Sequence, residues 1–187
     1  MLRILRASLF VSVFLFALAC QSVEVRPEDK NMFVRGRDLS DYVVNVQSPE
    51  KYEKFSKTQY FDGSLEIEYE FEPPDSEEVM YMAQTITYEP KQSDAKWGRS
   101  AEDSLVSIAL KAYGLETVEM PDFYRYGDSS KFYALRKDGR NVGNYFTVLE
   151  GGKVFSFLMA GVYFDDAETW RAVVEPKLQH FSAYKPE

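Results

Sequence analysis

Cysteine and histidine chemistry is restricted to two positions, because the chain contains one cysteine, Cys20, and one histidine, His180. So few nitrogen and sulfur ligands cannot close a structural zinc site. His180 lies near the end of a predicted helix, where a cation suits the helix terminus, and no nucleophile-elbow motif accompanies it. We therefore predict no catalytic residue, no metal site and no cofactor, and we predict that the protein is not an enzyme.

Cys20 follows a leader that is typical of exported proteins. Arg3 and Arg6 precede an apolar run at 7–19, which is short for a membrane span and ends in small residues. We predict a signal peptide at 1–19, cleaved between Ala19 and Cys20. Ordinary cleavage there would release a lone thiol into an oxidising compartment without a partner in the chain.

The sequence Ala17-Leu18-Ala19-Cys20 resembles the lipobox of bacterial lipoproteins, in which small residues precede an invariant cysteine. The resemblance implies lipid attachment at Cys20. Because Gln21 rather than aspartate follows, it also implies an outer-membrane location facing the periplasm, in a bacterium with two membranes. Two or three acyl chains would hold the protein on a bilayer, since each buried methylene contributes about 0.8 kcal/mol. Simple secretion is the alternative.

The charge balance argues against nucleic acid as a partner. The chain has 22 Lys and Arg against 30 Asp and Glu, a formal net charge of −8, and no cluster of basic residues. Residues 20–38 are polar and lack a sustained period, which predicts a flexible tether between the lipid and the domain. Residues 39–187 are enough for a single domain with its own core.

Alternating side chains predict a strand at 65–71 with one buried face and one acidic face. Its apolar members are Leu65, Ile67, Tyr69 and Phe71, and its acidic members are Glu66, Glu68, Glu70 and Glu72. A strand at 79–88 should pair with it as a hairpin, whereas 49–55 favours a helical turn. Segments at 132–137, 145–149 and 154–164, separated by glycine turns, are typical of an antiparallel meander.

A helix is predicted from the capping-box spacing of Ser100 and Asp103 to Gly114, which leaves Trp97 and Arg99 in a polar loop. Its expected core-facing stripe is Ala101, Leu105, Ile108, Ala109 and Ala112.

The last helix should begin at Asp165 or Asp166, and Pro176 predicts a kink or two short helices. The order of elements predicts an α+β domain with a single antiparallel sheet of about five to six strands and amphipathic helices packed on it.

This order resembles the PsbP-like fold over residues 60–181. The similar features are the strand at 65–71 running into Pro73, the helix after the second strand, and a glycine-turned meander leading into a terminal amphipathic helix. Members of that family mostly act as accessory or docking proteins without catalytic residues of their own. The resemblance therefore implies a binding role.

Three groups of residues are candidate contacts for a partner. The four glutamates at 66–72 form either an ordinary solvated face or a docking surface for a basic partner. Large aromatic residues in polar loops either anchor an interface or fold back onto the domain. The candidates are Glu66, Glu68, Glu70, Glu72, Trp97, Arg99, Tyr124 and Tyr126.

Together these features predict a non-enzymatic accessory or protein-binding module of the envelope. It would be held at the membrane through Cys20, and its partner would be an envelope protein. The alternative is a carrier or sensor of a small apolar ligand, held in a pocket between helix and sheet. The residues that would line such a pocket are Phe132, Phe146, Phe155, Phe157 and Trp170.

Overall fold

The structure is a computed structural model that describes residues 20–42, 48–73 and 80–186, so the predicted signal peptide at 1–19 lies outside it. The strands in the described residues are β1 (Cys20–Ser22), β2 (Glu53–Tyr60), β3 (Leu65–Phe71), β4 (Tyr81–Tyr88), β5 (Glu116–Glu119), β6 (Ser129–Lys137), β7 (Arg140–Glu150) and β8 (Lys153–Ala160). The helices are α1 (Pro27–Lys30), α2 (Gln92–Ala112) and α3 (Ala167–Ala183), and short 3-10 turns occupy Gly36–Leu39 and Pro49–Tyr52.

All eight strands join one antiparallel sheet in the order β1-β2-β3-β4-β8-β7-β6-β5. The first four strands form one meander and the last four form another. The two halves meet where β4 pairs with β8, from Tyr81 opposite Ala160 to Tyr88 opposite Lys153. The predicted count of about five to six strands is therefore wrong, although the domain is a mixed α+β fold dominated by its sheet.

The hairpin of β3 with β4 and the meander of β6, β7 and β8 form as their alternation and glycine turns predict. The sequence pattern missed β1, β2 and β5. β2 places polar residues on both faces, so its period carries no apolar signal, and its strand geometry comes from backbone pairing with β3. β1 and β5 are short strands at the two edges of the sheet.

One face of the sheet packs against α3 to form the main core. Trp170 of α3 is fully buried, and its ring centroid lies 4.9 Å from that of Phe132 and 5.5 Å from that of Phe157. Asp166 caps the helix by accepting a hydrogen bond of 2.7 Å from the backbone N–H of Thr169, as predicted. The helix continues through Pro176 rather than dividing in two, because buried residues anchor it on both sides of the proline: Trp170, Val174, Leu178 and Phe181.

Residues within 29–39 pack into this core, which differs from the flexible tether predicted for 20–38. Met32, Phe33 and Val34 are fully buried, and the ring of Phe33 stacks on that of Tyr69 with centroids 5.8 Å apart. Gln84 of β4 accepts a hydrogen bond from the Val34 N–H and donates one to its carbonyl. The three apolar residues are consecutive, so they produce no helical or strand period in the sequence.

A buried ion pair attaches this segment to the sheet. Lys57 of β2 donates hydrogen bonds to both carboxylate oxygens of Asp29, at 2.9 and 3.1 Å. Tyr184, just beyond α3, donates to the same carboxylate at 2.7 Å. Burial acts to raise the pKa of Asp29, but the hydrogen bonds from Lys57, the Arg26 N–H and Tyr184 outweigh it and lower that pKa. The pair thus joins three parts of the chain that are distant in sequence.

We expect Lys57→Met to reduce the free energy of unfolding by about 3 to 5 kcal/mol, because it leaves a buried carboxylate without its cation. Lys54→Met on the same strand is the matched control. Lys54 is exposed and pairs with Glu70 at 3.2 Å, so its loss should cost less than about 1 kcal/mol. Urea denaturation measures both values, and equal losses would contradict the structural role of the buried pair.

Candidate docking surface

Helix α2 begins at Gln92, eight residues before the Ser100 start predicted from the capping-box spacing. Trp97 and Arg99 therefore lie in a helix and not in a loop. Ser100 is an interior residue, whose carbonyl accepts a hydrogen bond of 2.8 Å from the Ser104 hydroxyl. The polar first turns carry no apolar stripe, but Ala95 is fully buried and packs with residues of β7 and β8. Tertiary packing thus extends the helix beyond its local signal.

The side of α2 that faces the sheet combines buried apolar residues, Ala95 and Leu110, with polar contacts. Asp103 accepts hydrogen bonds from the Lys131 ammonium at 2.9 Å and from the Tyr145 hydroxyl at 3.2 Å. Glu102 accepts one from the Ser156 hydroxyl of β8. On the other side of Asp103, Arg99 donates to the Ser129 carbonyl and hydroxyl of β6. Apolar packing and these polar contacts together determine which face of the helix meets the sheet.

The apolar stripe of α2 consequently faces solvent. Trp97 is 74% exposed, Leu105 45% and Ile108 66%. The prediction that Leu105 and Ile108 face the core is therefore wrong. A surface helix usually directs one apolar stripe inward, and in α2 Ala95, Val106 and Leu110 take that place. We call Trp97, Leu105 and Ile108 the apolar stripe.

Glu66, Glu68 and Glu70 of β3, with Glu72 just beyond the strand, lie on the same side of the sheet as α2. Their alternation with buried residues is as predicted, and each glutamate is partly buried. Glu68 lies opposite Thr85 of β4, and Thr85 lies opposite Ser156 of β8, which bonds to Glu102. This row of four glutamates, which we call the glutamate ladder, therefore forms a floor beside α2 and is not a freely solvated face.

The glutamates at the two ends of the ladder have different partners. The Lys54 ammonium lies 3.2 Å from Glu70 and 3.5 Å from Glu72. At the other end, the Ser56 hydroxyl donates to Glu68 at 2.6 Å and the Tyr60 hydroxyl donates to Glu66 at 3.4 Å. The end with Glu70 and Glu72 therefore has an ammonium partner, and the bonds to Glu66 and Glu68 come from neutral hydroxyls.

Two carboxylates between the floor and the helix, Glu66 and Glu102, have raised pKa values. Burial, together with the charges of Glu68 and Glu102, raises the pKa of Glu66 to about 7. Burial and the charge of Asp103 raise the pKa of Glu102 to about 7, against the lowering effect of the Ser156 hydrogen bond. The surroundings of both carboxylates thus penalise the ionised form.

The remaining candidate contacts lie elsewhere. Tyr124 is 5% exposed and its ring packs on Phe146 with centroids 5.5 Å apart, so it offers little surface to a partner. The Tyr126 hydroxyl is 3.0 Å from the Ser182 hydroxyl. Both tyrosines belong to the core beneath α3, on the side of the sheet away from Trp97.

The aromatic residues predicted to line a ligand pocket pack against one another. Ring centroids are 5.8 Å apart for Phe132 and Phe146, 5.6 Å for Phe146 and Trp170, and 6.4 Å for Phe155 and Phe157. These rings fill the core beneath α3, so their contacts give no support to the carrier alternative.

Cys20 is exposed at the start of β1, opposite Tyr60 of β2. In the described part of the chain, no helix combines the length and hydropathy that a membrane span requires. No protein-family model, curated protein or solved structure matches this chain. Lipid attachment at Cys20 stays a prediction.

Sequence reasoning missed Glu102 as a member of the site and mistook the direction of the apolar stripe. A signal for Glu102 was present, because Ala95, Glu102, Val106 and Leu110 share one face at helical spacing. It depends on starting the helix at Gln92, which the local sequence did not indicate.

We expect Glu66→Gln to stabilise the fold increasingly as the pH rises. The raised pKa means that ionising Glu66 is penalised in the folded state between its ordinary value of 4.5 and about 7. In the wild type, the contribution of Glu66 to the free energy of unfolding is therefore complete below the ordinary pKa of 4.5 and is lost as the pH rises through about 7. The variant should match the wild type at about pH 4 and exceed it by about 1 to 2 kcal/mol at about pH 8.

Urea denaturation at several pH values measures this difference. Glu116→Gln, at an exposed position on β5, is the control and should show a stability difference that does not change with pH. A constant difference for Glu66→Gln as well would contradict the assigned electrostatics.

Proposed function

We propose that the protein is a non-enzymatic accessory module of the bacterial cell envelope, held at the membrane by lipid on Cys20. It binds another envelope protein through the outward face of α2. The observation that carries this proposal is the exposed apolar stripe on the outer side of a helix whose inner side is already packed on the sheet.

The stripe has the composition of an interface centre. Tryptophan is enriched among residues that dominate binding energy, and exposed apolar groups at adjacent positions of one helix form a continuous patch. Trp97, Leu105 and Ile108 recur at helical spacing and together span three turns of α2. The same helix is held rigidly from below by Arg99, Glu102 and Asp103, so a partner would meet a pre-organised surface.

The position of Cys20 supports a direct attachment to the membrane. Cys20 is already part of the sheet, and the following segment packs into the core. A lipid on this residue would hold the domain immediately at the headgroups, without a flexible spacer. Such an attachment concentrates the docking surface at the membrane, where an envelope partner would be found.

We expect Trp97→Ser combined with Ile108→Ser to abolish capture of the partner after crosslinking in intact envelopes. Phe61→Ser is the matched control, since Phe61 is 81% exposed in the turn between β2 and β3 and lies outside the stripe. The double variant should lose at least about tenfold of the captured partner, the effect of removing about 1.4 kcal/mol of binding, while the control keeps it. Equal capture by all three proteins would overturn the docking proposal.

A separate experiment tests the anchor. Cys20→Ser should move the protein from the membrane pellet to the soluble fraction, because the acyl chains that retain it can no longer attach. Fractionation followed by immunoblotting measures this. The Trp97→Ser and Ile108→Ser variant should stay in the pellet, and persistence of Cys20→Ser there would exclude lipid attachment as the means of retention.

A further inference from the structure

We infer that the partner presents a basic amphipathic segment, whose apolar side chains cover Leu105 and Ile108 while its cations lie over Glu66 and Glu68. This inference rests on the proposed function and names the chemistry of the partner. It follows from the relative positions of the apolar stripe and the glutamate floor.

The first step concerns the direction in which Leu105 points. Asp103 lies about 100° round the helix axis from Glu102, and Leu105 lies about 60° from Glu102 in the opposite direction. Asp103 contacts Lys131 of β6 and Tyr145 of β7. Leu105 therefore lies on the opposite flank of α2, which faces β4 and β3.

The second step concerns the floor beside that flank. Glu66 and Glu68 are about 6.6 Å apart along β3 and lie on the α2 side of the sheet. The charged groups that act most strongly on Glu66 are themselves carboxylates: Glu68, Glu102 and Glu89. A groove therefore runs between α2 and β3, with an apolar upper wall at Leu105 and an acidic floor.

The third step selects the occupant by charge. An anionic bilayer surface would be repelled by the floor, and a second copy of this chain, with a formal net charge of −8, would bring further negative charge. Lys54 shows the arrangement that satisfies this ladder, because its ammonium lies between Glu70 and Glu72. Lysine or arginine from a partner would complete the same pattern at Glu66 and Glu68.

The test uses the full-length protein, purified from membranes in detergent, and a fluorescent synthetic peptide that alternates lysine and leucine. A peptide with glutamate in place of lysine is the paired probe. We expect the basic peptide to bind and the acidic peptide not to bind. Glu66→Gln combined with Glu68→Gln should weaken binding of the basic peptide about tenfold, the effect of losing two partly buried charge pairs.

Glu116→Gln combined with Glu119→Gln is the matched control. Both residues are exposed on β5 at the far edge of the sheet, and the change in net charge is identical. Unchanged binding by this control would show that the groove, and not overall acidity, attracts the peptide. Equal weakening of the two variants would overturn the inference, as would equal binding of the acidic peptide.

Other occupants are distinguished by two further measurements. Binding to vesicles of anionic phospholipid without binding to the basic peptide would identify a lipid surface and overturn the inference. Self-association lost in Leu105→Ser, again without peptide binding, would identify a second copy and overturn it as well.

Crosslinking in envelopes separates this inference from the proposed function. If the Glu66 and Glu68 variant retains the partner that the Trp97 and Ile108 variant loses, protein docking stands and its basic chemistry is wrong. Loss of the partner in both variants, with capture kept in the β5 control, supports the docking proposal and the basic chemistry of the partner.

Discussion

The pairing of β4 with β8 is the contact on which the rest of the structure depends. It runs along the full length of both strands and joins a meander from the first half of the chain to one from the second half. Because α2 lies between these halves in the sequence, the pairing also determines which strands the helix crosses. It leaves only β4 between β3 and Ser156 of β8, and Glu102 can therefore bond to Ser156 while its charge acts on Glu66. The candidate docking surface exists only because the two meanders meet there.

The orientation of α2 follows from that meeting. Strands β6, β7 and β8 present apolar residues that bury Ala95 and Leu110, and they also present an ammonium and hydroxyl groups that require partners once they are covered. Asp103 and Glu102 supply those partners, so the side of the helix that carries them turns inward. The apolar stripe is then left outside, beside the carboxylates of β3. Hydrogen bonds offset the free-energy cost of burying the polar groups. The exposed apolar stripe stays unfavourable until a bound partner covers it.

Elements with strong local signals were predictable. The alternation of β3 appears in the structure residue by residue, the turns of the β6–β8 meander fall at their glycines, and Asp166 caps α3. The strand β2 and the buried segment at 32–34 were missed for a shared reason. Neither shows a period, because β2 is polar on both faces and the three buried residues are consecutive. Their structure comes from partners distant in the chain, such as Gln84 for Val34.

Amino-acid order alone specifies which side chains share a face, where the glycine turns and the Asp166 cap fall, and that the chain has one cysteine and one histidine. It does not specify which shared face meets the core, how eight strands are ordered, or that residues within 29–39 pack inside the domain. Those outcomes depend on contacts such as Lys57 with Asp29 and Lys131 with Asp103, whose members are 28 residues apart in each case. A periodic pattern reports local geometry, whereas the pairing of distant strands decides which polar groups are covered and hence which face of α2 turns inward.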